Sequence, residues 1–167
     1  MLATNPQIEI RKVVFSKATY NHISDLKCGE SQYARLAENW IKDAPPMSCA
    51  FKSIADCGTR VWIYLLDDCT VGFGAVGENW KRNKKYAYIP MLAVSKNFQS
   101  KKYRDGENYS DFIISDLINC AGELEHRKLC LLVHKDNCPA IKLYKKYEFK
   151  TDEKELKYGN IRMCRSI

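Results

Sequence analysis

The stretch Val133–Phe149, with the sequence VHKDNCPAIKLYKKYEF, decides the fold of this chain of 167 residues. It is typical of a strand end, a polar turn and a short amphipathic helix. Proline is tolerated only in the first turn of a helix, so Pro139 predicts a helix that begins at Asn137 or Cys138. The helical period then places four residues on one apolar face: Ala140, Leu143, Tyr144 and Tyr147.

Two polar residues of this stretch can be interpreted in two ways. In a structural interpretation, Asn137 caps the helix, and Tyr144 is a core aromatic residue whose hydroxyl is hydrogen-bonded. In a functional interpretation, both side chains face a ligand at the end of the strand. The residue pattern alone leaves both interpretations open.

The rest of the chain predicts an α/β sandwich of mixed strand direction in a single domain, residues 1–167. Two further helices are expected, at Ser31–Ala44 and along an apolar stripe from Tyr109 to Leu124. Pro90 is awkward inside the apolar segment Tyr86–Ser95, because proline removes a ladder hydrogen bond and usually marks a bulge or an edge. The predicted strands are Ile8–Ser16, Arg60–Leu66, Val71–Val76, Tyr86–Ser95, Leu129–His134, Phe149–Lys157 and Ile161–Ile167.

Composition narrows the class of protein further. No apolar run approaches the ~20 residues that a membrane span needs, and the start lacks the apolar core of a signal peptide, so we expect a cytoplasmic protein that makes no contact with a membrane. The net charge of +7 favours anionic partners. The eight cysteines lack Cys-x-x-Cys spacing and only three histidines accompany them, so we predict no zinc and no obligatory disulfide.

The pattern NxxAIxLYxxxxF that begins at Asn137 resembles the last conserved block of the GNAT family of N-acetyltransferases. The resemblance covers most of the chain and implies a mixed, mostly antiparallel central sheet flanked by helices. It also implies transfer of an acetyl group from acetyl-CoA to a primary amine, without a metal. Asn137 would contact coenzyme A. Tyr144 would be the general acid that protonates the departing thiolate, a role that suits a hydroxyl with a pKa near ~10.

A second block, Leu92-Ala-Val94 followed by Gln99, resembles the cofactor-binding strand and loop of the same family. The resemblance implies that the backbone of Leu92 and Val94 pairs with the pantetheine arm. The N–H groups of the loop and of the next helix start would cradle the pyrophosphate, because a helix N-terminus has unpaired amides and a dipole that favours anions. The implied loop residues are Gln99, Ser100, Lys101, Lys102, Tyr103 and Arg104.

The sequence departs from the family pattern in this loop. Lys102 and Arg104 stand where glycines are usual, and the next helix begins late. Three interpretations are open: side-chain charge meets the phosphates, Gly106 serves in a shifted register, or the loop has lost its ligand. A second departure is Glu148, which replaces a glycine that would end the helix in a left-handed cap, and this change affects stability rather than chemistry.

The general base is predicted from position only. Glu78 follows the strand Val71–Val76 and is the candidate base, and Tyr88 on the central strand is a candidate proton carrier. An amine that is already neutral needs no dedicated base.

The acceptor is predicted as a class, a primary amine of a small molecule, a protein or an aminoacyl-tRNA. Lys27-Cys28-Gly29 and Ile89-Pro90 are similar to the toxin branch of the family, which acetylates aminoacyl-tRNA, and a basic chain suits tRNA. That branch implies an antitoxin partner, and a homodimer is also compatible with the sequence. The alternative to an enzyme is a degenerate fold that binds coenzyme A, nucleic acid or protein without turnover.

Overall fold

The computed structural model describes residues 9–43, 59–78, 86–153 and 157–167. Within these ranges the strands are β1 (Arg11–Val14), β2 (Thr59–Leu66), β3 (Cys69–Gly77), β4 (Tyr86–Ile89), β5 (Leu92–Val94), β6 (Lys102–Arg104), β7 (Glu107–Asn108), β8 (Lys128–His134), β9 (Lys150–Glu153) and β10 (Asn160–Ser166). The α-helices are α1 (Gln32–Asp43), α2 (Tyr109–Gly122) and α3 (Cys138–Lys146).

Eight of the strands form one mixed sheet in the order β1-β2-β3-β4-β8-β10-β9, with β5 paired to β3. All neighbours are antiparallel except β4 and β8, which run parallel. The remaining strands, β6 and β7, form a separate two-stranded hairpin. A mixed, mostly antiparallel sheet flanked by helices is therefore confirmed.

The sheet carries one hydrophobic core on each face, because successive side chains of a strand point to opposite faces. On β2, Tyr64 belongs to the core under α2 and α3, whereas Ile63 belongs to the core under α1. Helix α2 lies close to β3, since a Cβ atom on Gly74 would be 2.8 Å from the Leu117 side chain. The two faces thus differ in their helices, with α2 and α3 on one and α1 on the other.

The segment predicted as one strand, Tyr86–Ser95, is interrupted at Pro90. Strand β4 pairs with β8 as far as Ile89 and Leu131. Past the proline, β5 pairs only with β3, and the Ala75 N–H donates to the Met91 carbonyl at 3.0 Å. The chain direction changes because proline has no N–H to continue the ladder. Strand β5 and the end of β8 therefore diverge, and a cleft opens between them.

One pair of cysteines forms a disulfide, whereas the sequence predicted no obligatory one. Cys130 on β8 and Cys164 on β10 are disulfide-bonded, with their Cα atoms 4.1 Å apart. The two residues are direct partners in the antiparallel register, although 34 positions separate them along the chain. Sequence spacing gives no signal for this pair, because the pairing follows from the register of the two strands.

None of the helices in the described ranges has the length and apolar content to cross a membrane. Within the same ranges, no group of His, Cys, Asp or Glu side chains is arranged to hold a metal ion.

Candidate functional site

Both walls of the cleft present unpaired backbone groups. The two residues that flank β5 are hydrogen-bonded to β3. The Met91 carbonyl accepts from the Ala75 N–H at 3.0 Å, and the Ser95 N–H donates to the Val71 carbonyl at 2.7 Å. Alternate residues of an antiparallel strand turn their N–H and C=O groups in opposite directions, so those of Leu92 and Val94 face the cleft. These are the two strand residues that the sequence predicted for cofactor binding.

The opposite wall is the end of β8. The Lys135 N–H donates to the Gly159 carbonyl at 2.9 Å, which continues the pairing with β10. By the same alternation, the N–H and C=O groups of Leu132 face away from β10, so that the N–H completes the parallel pairing with Ile89 and the C=O faces the cleft. The Leu132 side chain is 42% exposed, although the strand residues on either side of it are buried.

Tyr144 lies on helix α3, in the core on the face of the sheet that carries α2 and α3. Its ring packs edge-on against Phe149, with 5.8 Å between the ring centroids, and the residue is buried. Burial raises the pKa of Tyr144 to about 12. The hydroxyl forms no hydrogen bond with any residue in the described ranges, so the predicted structural role as a hydrogen-bonded core tyrosine accounts for the ring but not for the hydroxyl.

Asn137 lies between β8 and α3 at the helix N-cap position. Its backbone takes part in the turn, since its N–H donates to the His134 carbonyl at 2.9 Å and its carbonyl accepts from Ile141 at 3.0 Å. Its side chain makes no capping hydrogen bond. The amide side chain is therefore available to a ligand at the end of β8.

Gln99 has a structural role in the loop after β5. Its side-chain amide donates to the Val94 carbonyl at 2.8 Å and to the Cys28 carbonyl. The side chain thereby joins the end of β5 to the segment that leads into α1. Contact between Gln99 and a phosphate would have to come from its backbone.

The rest of this loop forms the β6–β7 hairpin, which the sequence analysis did not predict. Gly106 has a φ of +79°, which suits the tight turn of the hairpin. The Tyr103 ring is half-buried against Tyr109 and Phe112 of α2, at 5.6 and 5.3 Å between centroids. Lys101, Lys102 and Arg104 are exposed together with Ser100.

Helix α2 begins directly after Gly106-Glu107-Asn108. This arrangement is compatible with the shifted register of Gly106, which stays a prediction. A signal for this register was present in the sequence, because the apolar stripe of α2 starts at Tyr109.

A buried carboxylate fixes the start of α2. Asp111, 1% exposed, accepts hydrogen bonds from Lys146 at 2.7 Å, from the Asn108 N–H at 2.8 Å and from the Tyr147 hydroxyl at 2.9 Å. Burial acts to raise the pKa of Asp111, but these hydrogen bonds outweigh it and hold the pKa below the usual range of a carboxyl group. The cluster ties the first turn of α2 to the last turn of α3.

Glu78 is half-buried and directly follows β3, whose last residue, Gly77, pairs with Tyr88. The Tyr88 ring lies over Gly77, where a Cβ atom would be 2.3 Å away, and its hydroxyl is 3.4 Å from that of Thr59. Because β3 and β4 are antiparallel, Glu78 lies beyond Tyr88, away from the opening at Pro90. Its role as base stays a prediction.

Two residues that the sequence analysis did not single out meet on the α1 side of the cleft. The Tyr33 hydroxyl of α1 is 3.0 Å from His134 Nδ1, at the end of β8. Because 101 positions separate the two residues, no local pattern joins them. This contact links the two halves of the sheet that diverge at Pro90.

The sequence of residues 30–149 matches the sequence model of the acetyltransferase (GNAT) family. The chain belongs to this family and is an acetyltransferase.

Solved structures of other family members share the fold. The PaiA N-acetyltransferase of Thermoplasma acidophilum, in complex with coenzyme A, has a TM-score of 0.72 at 12% identity, over 96% of this chain and 100% of that one. The Bacillus subtilis acetyltransferase, in complex with CoA, has a TM-score of 0.62 at 14% identity, over 95% and 99%. Ard1 from Thermoplasma volcanium has a TM-score of 0.65 at 20% identity, over 96% and 99%. No curated protein matches the sequence significantly.

Proposed function

We propose that residues 1–167 form a single domain that transfers the acetyl group of acetyl-CoA to a primary amine. The observation that carries this proposal is the cleft between β5 and the end of β8, with inward-facing backbone groups, together with a Tyr144 hydroxyl that has no hydrogen-bond partner in the described ranges. Two of the similar structures hold coenzyme A, which supports the same ligand here.

The pantetheine arm suits the β5 wall, because an extended chain of amides can pair with a strand edge as an added strand does. Leu92 offers an N–H and a C=O, and Val94 offers its N–H. The Val94 carbonyl already accepts from Gln99 at 2.8 Å. The Asn137 side chain would hold the arm from the other wall.

The phosphates suit the start of α2, where the first amides of the helix have no intrahelical partners. Asp111 lies in this first turn, and its charge would oppose an anion if Lys146 did not neutralise it at 2.7 Å. Loop residues add hydrogen-bonding groups and positive charge around the same position: the half-buried Tyr103 and the exposed Ser100, Lys101, Lys102 and Arg104.

Tyr144 would donate its hydroxyl proton toward the sulfur while the C–S bond breaks and the C–N bond forms. With a pKa of about 12, the hydroxyl stays protonated at neutral pH. A thiol has a pKa of about 8.5, so Tyr144 first stabilises the thiolate as a hydrogen-bond donor. When the proton does move to sulfur, the Tyr144 oxygen recovers one from the attached amine nitrogen, so that no charge remains on the tyrosine.

The acceptor is proposed as a primary amine of a small molecule, a protein or an aminoacyl-tRNA. The net charge of +7 is compatible with the last of these, whereas the comparisons lend no support to the toxin branch with its antitoxin partner. A reaction that consumes acetyl-CoA agrees with the cytoplasmic location expected from the sequence. Glu78 remains the base candidate from the sequence, although it lies beyond Tyr88 and away from the opening at Pro90.

The test has two stages. Calorimetry and a thermal shift with acetyl-CoA measure binding, and a ligand at 100 times its dissociation constant should stabilise the protein by about 2.7 kcal/mol. Thiol release is then followed with a polyamine, a lysine-containing peptide and charged tRNA as acceptors. We expect binding, and release that depends on one of these amines.

Each stage can contradict the proposal separately. Binding without thiol release in the presence of any acceptor would favour the alternative, a degenerate fold that holds coenzyme A without turnover. Absence of binding at millimolar acetyl-CoA would overturn the proposal and leave only the alternative of a degenerate fold that binds nucleic acid or protein without turnover.

A further inference from the structure

The side of the cleft opposite Tyr144 contains a second set of groups able to move a proton. Tyr144 lies in the core on the face of the sheet that carries α2 and α3. Tyr33 belongs to α1 on the other face, and its hydroxyl contacts His134 Nδ1 at 3.0 Å, with 5.5 Å between the ring centroids. Val133 belongs to the core under α2 and α3, so the alternation of the strand turns His134 to the α1 face.

The hydrogen bonds around His134 define where its proton lies. The backbone N–H of Asp136 points at Nδ1 from 3.2 Å. A backbone N–H can only donate, so Nδ1 carries no proton and the neutral ring is protonated at Nε2. The Tyr33 hydroxyl must therefore donate to Nδ1. The lone pairs of the Tyr33 oxygen then remain available to an incoming N–H group.

The surroundings of His134 can accommodate a positive charge. The Asp136 carboxylate lies 3.8 Å from Nδ1, within ion-pair distance of a protonated ring. On its other side the ring lies against Gly159, where a Cβ atom would be 2.7 Å from Nε2, so the ring is held in place. The His134 side chain is 26% exposed, which leaves a path for its proton to return to water.

We propose that Tyr33 and His134 take up the proton that the amine acceptor must lose before it attacks the thioester, an inference that rests on the proposed function. Coenzyme A would occupy the side of α2 and α3, so the acceptor is left with the α1 side. An alkylamine has a pKa of about 10.4, so at neutral pH it arrives as an ammonium ion without a lone pair.

The proton balance of this step is complete. The ammonium nitrogen gives one proton to the Tyr33 oxygen, directly or through one water, while the Tyr33 proton passes to His134 Nδ1. The neutral nitrogen then forms the C–N bond and the C–S bond breaks. The second amine proton ends on the coenzyme A sulfur, by way of Tyr144. His134 returns the first proton to water after the reaction.

Two substitutions distinguish a role of Tyr33 and His134 in proton transfer from a purely structural contact between α1 and the end of β8. In His134→Asn, the side-chain oxygen can accept hydrogen bonds near the position of Nδ1 but cannot take up a proton. Tyr33→Phe removes the hydroxyl and keeps the ring. We expect both variants to bind acetyl-CoA as the wild type does, and turnover to fall by about 10²–10⁴ in each, the usual range for a lost general base. Tyr20→Phe and His126→Asn, away from the cleft, are the matched controls.

The outcomes are distinct. If His134→Asn retains wild-type turnover while Tyr33→Phe is slow, the pair is a structural bridge and the proton role is wrong. If the wild type itself transfers no acetyl group to any amine, the proposed function fails, and the proton role fails with it. A fall in turnover for both variants with unchanged acetyl-CoA affinity supports the proposal.

A measurement on the wild type needs no acceptor. With three histidines in the chain, the ¹⁵N resonances of the rings can be assigned by comparison with His134→Asn. We expect His134 to be protonated at Nε2 and not at Nδ1 when it is neutral. The opposite tautomer would make Tyr33 the acceptor of the hydrogen bond and would overturn the proposed path.

Discussion

Two strand-to-helix connections leave the open end of the sheet, and they are built differently. After β8, residues 135–137 turn directly into α3. After β5, the chain passes through a 3₁₀ turn (Lys96–Phe98) and the β6–β7 hairpin before α2 begins. The short connection, residues 135–137, has little conformational freedom, and it leads into the helix that carries the proposed acid, Tyr144. The long connection carries the charged side chains, and its amides are proposed to hold phosphates.

The difference teaches which part of the site tolerates change. A hydroxyl that acts on a breaking bond must lie within hydrogen-bond reach of one atom, so it is placed by a rigid helix directly after a buried strand. Phosphates can be bound by several arrangements of amides and charges. A loop after β5 that lacks the two usual glycines is therefore still expected to bind phosphates, through its charges and the amides at the start of α2.

The largest expected effect tests the short connection. Tyr144→Phe keeps the ring that packs against Phe149 and removes the unpartnered hydroxyl. Turnover should fall by about 10²–10⁴, the range for a lost general acid. Binding of acetyl-CoA and the free energy of unfolding should change little. Turnover and calorimetry on both proteins at one pH check this, and near wild-type turnover would return Tyr144 to a packing role.

The second prediction concerns Asp111, which joins the two connections. Asp111→Asn removes a buried charge that accepts three hydrogen bonds, and it should lower the free energy of unfolding by about 1.5–3 kcal/mol, the range for bonds to charged groups. Denaturant unfolding measures this. The control is Asp68→Asn, an 82% exposed carboxylate paired with Arg11, where a change of no more than about 1 kcal/mol is expected.

The same carboxylate predicts a pH dependence. The pKa of Asp111 is lower in the folded protein than in the unfolded chain. The ionised Asp111 side chain therefore makes its full contribution to stability above about pH 3.9, the ordinary pKa of an aspartate. The contribution is lost as the pH falls from there toward the lower folded pKa. Wild type and Asp111→Asn should therefore converge in stability in this acidic range, and a constant difference between them would contradict the assignment.

The third prediction tests charge in the long connection. Lys102→Ala with Arg104→Ala removes two exposed charges, each worth about 0.2–1 kcal/mol in a surface pair, so affinity for coenzyme A should fall by roughly 2- to 30-fold. The loss should shrink as salt is added, because salt screens exposed charges. Arg60→Ala with Lys150→Ala changes the net charge equally outside the proposed site. Equal affinities for both double variants would mean that backbone amides alone hold the phosphates.

The sequence predicted the short connection well because its signals are local. Pro139 marked the first turn of α3, and the helical period placed Tyr144 on the buried face. Pro90 indicated an irregularity in the central strand, although not the divergence of β5 from β8.

The features that sequence reasoning missed depend on register or on distant contacts. The β6–β7 hairpin consists of short polar strands around Gly106, without the apolar alternation that identifies a strand. The Cys130–Cys164 bond and the Tyr33–His134 contact join residues that become neighbours only when the sheet has formed. Gln99 was predicted to belong to the phosphate-binding loop, but no motif reveals that its side chain donates to the backbone carbonyls of Val94 and Cys28.

The smallest expected effect returns to the end of the short connection. Glu148 follows α3 with a φ of +65°, in the left-handed region, which costs a residue with a Cβ atom roughly 1–2 kcal/mol. Glu148→Gly removes this strain but gives the unfolded chain more freedom, a loss of about 0.4–1 kcal/mol. The exposed contact with Arg165 at 3.8 Å contributes little. The net gain in stability should be about 0.5 kcal/mol, which corresponds to roughly 1–2 °C in the melting temperature. Glu148→Ala is the control, because it removes the same charge and keeps the strain, so it should not stabilise the protein.

Since Phe149 and Tyr144 are joined by a backbone hydrogen bond of 3.1 Å that does not involve the Glu148 side chain, turnover should be unchanged in both variants. A clear loss of turnover in Glu148→Gly would show that the end of α3 controls the position of Tyr144, and that the two ends of the short connection cannot be treated separately.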